Sequence, residues 1–145
     1  MKTKIILFSL ILAVATISCK VTLVPNYDAG IASQIDSTLK MVDKFYLTMI
    51  ETTKNENGQR AYQNFALGYV NIEVELQSLV DKNTVRPLNS DSKKISDNTL
   101  AQWIKYRDKH KQDNQISDAN ITLNRIYMHD QLISMQIGEA FKPQQ

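Results

Sequence analysis

From Asp28 onward the apolar residues fall three and four apart: Ala32, Ile35, Leu39, Val42, Tyr46 and Met49. An α-helix turns about 100° per residue, so this spacing lines one face of a helix, whereas a half-buried strand needs alternate positions. Asn55, Asn57 and Gly58 interrupt the run with turn chemistry, and Tyr62, Phe65, Tyr69, Ile72, Leu76 and Leu79 resume it toward Lys82. Within this second run Ile72, Val74 and Leu76 alternate with Asn71, Glu73 and Glu75 in the period of a strand. The helical face continues on both sides, no turn residue brackets the patch, and the other β-rich run, Val21 to Val24, is isolated. A lone strand would have nothing to pair with, so the spacing predicts helix throughout.

Asn83 to Ser92 contains Arg86-Pro87, which disfavours helix at Arg86 and reads as a connection. Ser96 followed by Asp97 offers a helix start for a third segment to about Lys111, with Leu100, Trp103, Ile104 and Tyr106 inward. Asp113-Asn114-Gln115 breaks the chain again. Ser117 is a cap for the last helix, which puts Leu123, Ile126, Tyr127, Ile133, Ile137, Ala140 and Phe141 on one broad side and Met128, Leu132 and Met135 on another. Pro143 ends it. Four such segments with short connections, four glycines and three prolines predict an all-α fold: an antiparallel up-down four-helix bundle over residues 28–142. Gly68 and Gly138 fall inside predicted helices, where they mark either close helix approach or positions merely tolerated.

Ahead of this domain, Met1-Lys2-Thr3-Lys4 supplies positive charge, Ile5 to Ile17 is almost wholly apolar, and Ser18 is small before Cys19. Charge, apolar core and small residue are the parts of a signal peptide, here residues 1–18. The apolar run is well short of the roughly 20 residues that span a bilayer. Thr16-Ile17-Ser18-Cys19 resembles the lipobox of bacterial lipoproteins, with Thr16 where the family usually carries Leu. The resemblance covers the leader alone. It implies cleavage before Cys19, acylation of its sulfur, and a short tether over residues 19–27 in which Pro25 and Asn26 preclude regular structure. Lys20 follows the cysteine where inner-membrane retention typically uses Asp, so the resemblance implies an outer-membrane anchor facing the periplasm. Two or three acyl chains anchor stably where one does not. Cleavage after Ala13-Val14-Ala15 is the rival, giving a soluble periplasmic or secreted protein with a free Cys19 thiol.

Loss of Lys2 and Lys4 reduces 17 bases to 15, against 15 acids, so the mature chain is formally neutral. The basic balance of the precursor belongs to the leader and gives no support to a nucleic-acid partner. A single cysteine forms no internal disulfide. The 127 residues left when 18 of 145 are removed are therefore stabilised by burial, and that length suits one domain with a real core.

No catalytic constellation is present: there is no Gly-x-Ser-x-Gly, phosphate loop or His-Glu-x-x-His. Di-iron bundles use Glu-x-x-His, but Arg107 stands three before His110 and Ile126 three before His129. His129 beside Asp130 is the least unfavourable ligand candidate but reads as a solvated or hydrogen-bonded histidine, and no metal or cofactor is expected. The densest charge lies at Lys105, Arg107, Lys109 and Lys111, either a solvated helix end or, together with Arg86, a contact for an anionic partner. Tyr46, Tyr62, Phe65, Tyr69, Trp103, Tyr106 and Tyr127 read as core rather than as an exposed aromatic groove. The expectation is a lipid-anchored, non-enzymatic module holding an envelope protein, as an assembly subunit or an inhibitor or immunity protein. The alternative is a carrier of a small ligand or lipid in the bundle interior.

Overall fold

The computed structural model describes residues 23–144, so the leader and Cys19 lie outside the described residues. Four helices form: α1 (Ala29–Thr52), α2 (Ala66–Val85), α3 (Ser90–Asp113) and α4 (Asp118–Ala140), with a 3-10 turn at Tyr62–Asn64 before α2. Each packs on its two neighbours in sequence, and α4 closes the ring against α1, while α1 and α3, and α2 and α4, stand on the diagonals. This is the antiparallel up-down four-helix bundle. Residues 70–77 are helical throughout. The start of α1, the α2–α3 corner and the end of α4 share one end of the bundle, here called proximal. The α1–α2 loop and the α3–α4 corner form the distal end.

Local chemistry sets most boundaries. Asp28 caps α1, its carboxylate accepting from the amides of Ile31 at 3.0 Å and Gly30 at 2.8 Å. The Ile31 amide above all holds that carboxyl below its ordinary range. Asn57 and Gly58 take left-handed φ values of 54° and 69° in the turn expected there. Asn114, at φ 52°, ends α3, and Ser117 caps α4 by accepting from the Asn120 amide.

The start of α3 departs from expectation. The helix begins at Ser90, and Ser96 is a buried interior residue whose hydroxyl donates to the Lys93 carbonyl at 2.8 Å. The connection shrinks to Arg86–Asn89, because Pro87 and Leu88, the latter at φ 59°, turn the chain within a few residues.

The core is built from Ile31, Ile35, Val42, Tyr46 and Met49 on α1, Tyr69, Ile72, Leu76 and Leu79 on α2, Trp103 on α3, and Ile121, Met128, Leu132 and Met135 on α4. Trp103 crosses the diagonal, its ring 5.8 Å from that of Tyr46 and its Nε1 donating to the Tyr69 carbonyl at 3.0 Å. Burial of that polar nitrogen is thereby compensated. A small cavity among the four helices, near Ile35, Asn83, Ile95 and Met135, measures about 20 Å³. Gly68 lies under the Phe45 ring, where a Cβ would come within 2.6 Å, whereas nothing lies within 4 Å of a Cβ at Gly138. Gly68 marks close approach, and Gly138 is merely tolerated.

The inward side of α4 is also corrected. Its buried residues are Ile121, Asn124, Met128, Leu132, Met135 and Glu139. Leu123, Ile126, Tyr127, Ile137 and Phe141 are exposed, so the side with Met128, Leu132 and Met135 faces the core, the broad apolar side faces outward, and Tyr127 leaves the core set. Glu139, on the inward line, finds cationic partners at the proximal end.

Candidate interaction surface

The five cations singled out in the sequence do not form one patch. Arg86 sits at the α2–α3 corner, about 22 Å along α3 from Lys105 at 1.5 Å per residue. Its guanidinium binds both Glu139 oxygens, at 3.1 and 3.2 Å, and the Asn26 carbonyl. Arg107 pairs with Glu73 on α2 and with Asp108. Lys109 pairs with Asp113 at 2.9 Å, and Lys111 lies 5.8 Å from the centre of the Tyr62 ring. Lys105 is exposed and lines a cleft of about 570 Å³, between the end of α3 and the start of α4, which Lys109, His110 and Asn124 also line.

Beneath this cleft runs a buried polar chain. His110 Nε2 lies 2.8 Å from the Arg60 carbonyl, which can only accept, so Nε2 carries the proton and Nδ1 accepts from the Tyr69 hydroxyl at 3.1 Å. Burial pushes the His110 pKa down and those of Tyr69 and Tyr46 up. Arg60 itself is 3% exposed, bonding Thr53, the Ile116 carbonyl and Asp118, and so ties the α1–α2 loop to the α3–α4 corner. These groups hold the distal end together.

A second buried cluster holds the proximal end. Glu139, 2% exposed, accepts from Arg86, from Lys142 Nζ at 2.5 Å and from the Asp28 amide at 2.8 Å. Lys142 also donates to Asn89, whose side chain bonds that of Asn83. Sequence reading misses Glu139, Lys142, Asn83 and Asn89. The one signal for them is an acid and a base three apart at a helix end.

His129 Nδ1 meets Asp43 Oδ2 at 3.0 Å, with Arg125 on the same carboxylate at 3.3 Å. Its hydrogen-bond partner is thus on α1, not the neighbouring residue that the sequence offered. Among the described residues no three His, Cys, Asp or Glu side chains converge as a metal site would need.

The other outward feature is apolar. On α4, Leu123, Ile126, Tyr127 and Ile137 fall within a strip about 100° wide, opposite the buried stripe, with exposed Asp130 and Ser134 between Tyr127 and Ile137. On α2, Leu67, Val70 and Val74 do the same, Leu67 being 73% exposed. Since α2 and α4 stand on one diagonal, the two strips face away from each other. Of the other helices, α1 exposes Leu47 alone among its large apolar side chains and α3 exposes none. Scattered exposed apolar residues are ordinary, but alignment on two of four helices is not scatter. The chain matches no protein-family model, no curated protein and no solved structure.

Proposed function

We propose that this protein is a non-enzymatic interaction module of the bacterial cell envelope, anchored to the membrane through Cys19 and engaging an envelope protein along the outer face of α4. The observation that carries the reading is the α4 strip: four large apolar side chains in helical register, outward, on a helix whose other face already fills the core. An amphipathic helix in a monomeric bundle has no use for a second apolar face, and helix-in-groove recognition uses side chains at this spacing. Tethering supports the same role, because confinement raises the effective concentration of two envelope proteins and compensates for modest contacts. An assembly subunit and an inhibitor that caps another protein both fit this chemistry.

The cavity among the four helices, at about 20 Å³, is too small for a lipid chain or an organic ligand, which supports interaction over carriage within the bundle. Among the described residues no helix is long and apolar enough to cross a membrane, and attachment in this reading falls to the acylated cysteine. The test is in-cell crosslinking of a C-terminally tagged full-length chain in its native host, read by mass spectrometry. A stoichiometric envelope protein, lost on replacing Ile137 by aspartate, supports the reading. A co-purified small molecule without a protein partner contradicts it.

A further inference from the structure

The proximal end is fastened around the point where the chain enters the bundle. The Tyr27 amide donates to the Pro143 carbonyl at 2.9 Å, Arg86 donates to the Asn26 carbonyl, and the Asp28 amide donates to Glu139. The segment leading back toward Cys19 therefore leaves the domain at a fixed place. Around that place the surface is apolar: Leu23 and Val24 on the segment, Val85 and Leu88 at the α2–α3 corner, and Phe141 after α4, with Val85 80% and Phe141 86% exposed. These come from three separate stretches of chain brought to one end by the fold. Leu88 holds a left-handed φ of 59°, which is costly for a residue with a branched side chain, and there it presents an exposed leucine at a corner tip.

Part of the charge at this end is turned inward. The buried cluster of Arg86, Lys142 and Glu139 holds one positive charge in excess, which the nearby Asp28 carboxylate balances while it accepts from amides. Exposed charges of both signs, Asp81, Lys82, Asp91 and Lys94, lie around the rim, so it carries no field of one sign. A rim of apolar side chains lacking a net field suits the boundary between lipid headgroups and acyl chains better than an acidic or basic protein surface.

Chain length sets the occupant. From Cys19 to Leu23 are four residue steps, at most about 14 Å. The headgroup layer on each side of a bilayer is about 5–8 Å deep. We propose that Leu23, Val24, Val85, Leu88 and Phe141 insert into the headgroup layer, so that the bundle stands on its proximal end with the outer faces of α2 and α4 turned sideways along the membrane. This rests on the reading of Cys19 as acylated, and it adds an orientation that a tether alone does not impose.

The experiment uses the full chain in three versions, Leu88→Cys, Phe141→Cys and, at the distal end, Glu56→Cys, each labelled with an environment-sensitive fluorophore. All three positions are exposed, so labelling leaves the core intact. The proteins are reconstituted in phosphatidylcholine–phosphatidylglycerol vesicles carrying a nitroxide at the headgroup, and intact mass reports acylation of Cys19. The proposal predicts several-fold stronger quenching at 88 and 141 than at 56. Equal quenching at all three positions in acylated protein overturns it. Where mass shows Cys19 unmodified, the tether reading fails separately. The same vesicles then test the rim alone, in versions that also carry Cys19→Ser so that the label sits at one position: quenching confined to 88 and 141 upholds insertion, and none at any position refutes it.

Discussion

Alanine at Gly68 and alanine at Gly138 change the same chemistry in the middle of a helix and should move stability in opposite directions. A helical glycine gives up about 1 kcal/mol relative to alanine, so each substitution starts from that gain. At Gly138 nothing lies within 4 Å of the added methyl, and the gain of about 0.5–1 kcal/mol should appear undiminished. At Gly68 the methyl would meet Phe45 Cε2 at 2.6 Å and Cδ2 at 2.7 Å, against a contact distance of about 3.5–4.0 Å. The ring must shift by about 1 Å to restore that contact. It is held edge-on by Tyr46, Tyr69 and Trp103, with centroids at 5.1, 4.7 and 5.6 Å, so the shift disturbs the aromatic centre of the core. Overpacking of this kind costs about 1–3 kcal/mol, which leaves Gly68→Ala destabilised by about 0–2 kcal/mol after the helical gain. Urea unfolding followed by far-ultraviolet circular dichroism, with matched slopes, measures both variants. Equal stabilisation of the two would refute the close approach of α1 and α2 at Phe45.

Trp103→Ala should cost about 3–5 kcal/mol, since it empties a fully buried site and leaves the Tyr69 carbonyl without its donor; chemical denaturation measures it, and an unshifted midpoint would contradict the assigned core. Glu139→Ala should cost about 3–5 kcal/mol because Arg86 and Lys142 are left as buried cations, whereas Asp36→Ala, which removes an exposed pair with Lys40, should cost less than about 1 kcal/mol. The pH dependence follows from His110: its folded pKa lies below the ordinary value of about 6.5, so below that pH the unfolded chain takes up the proton first and stability falls with falling pH, by at most about 1.4 kcal/mol per pH unit. His110→Gln should remove this slope between pH 7.5 and 5, and a stability difference between the two proteins that is constant across that range would contradict it. The acid loss from the Asp28 cap is separate, since its carboxyl titrates below the ordinary carboxylate range.

Helices α1 and α2 were legible in the sequence because each buries a long stripe at helical spacing, which in α2 continues on both sides of the strand-like patch at Ile72–Leu76, and because Asn57, Gly58 and Asp28 carry boundary chemistry that works locally. Helix α4 was not legible in the same way. It carries apolar stripes on opposite sides, and the outward one, with Leu123, Ile126 and Ile137, outweighs an inward one that includes Asn124 and Glu139. Period identifies a helix, but which face is buried depends on partners brought from elsewhere in the chain. The first turn of α3 hides for a related reason: Ser90 to Lys94 is polar throughout, and its helicity is set by the corner at Pro87 and Leu88. The basic run from Lys105 to Lys111 reads as one feature along the sequence, yet in space Arg107 is spent on Glu73 of α2 and Arg86 on Glu139 of α4. Ion pairing between helices is invisible to a count of charges along one of them.

The account turns on the outer face of α4, and site-resolved photocrosslinking in the native host tests it most directly. A photoreactive amino acid would be placed in the full-length chain at Tyr127 or Ile137 on that face, and at Ser33 or Lys40 on the polar face of α1. The account predicts one discrete protein adduct from 127 and 137, abolished by a second substitution of Leu123 to aspartate, and none from 33 or 40. Adducts of equal yield from both faces, or none from α4 in membrane-anchored protein, would contradict it.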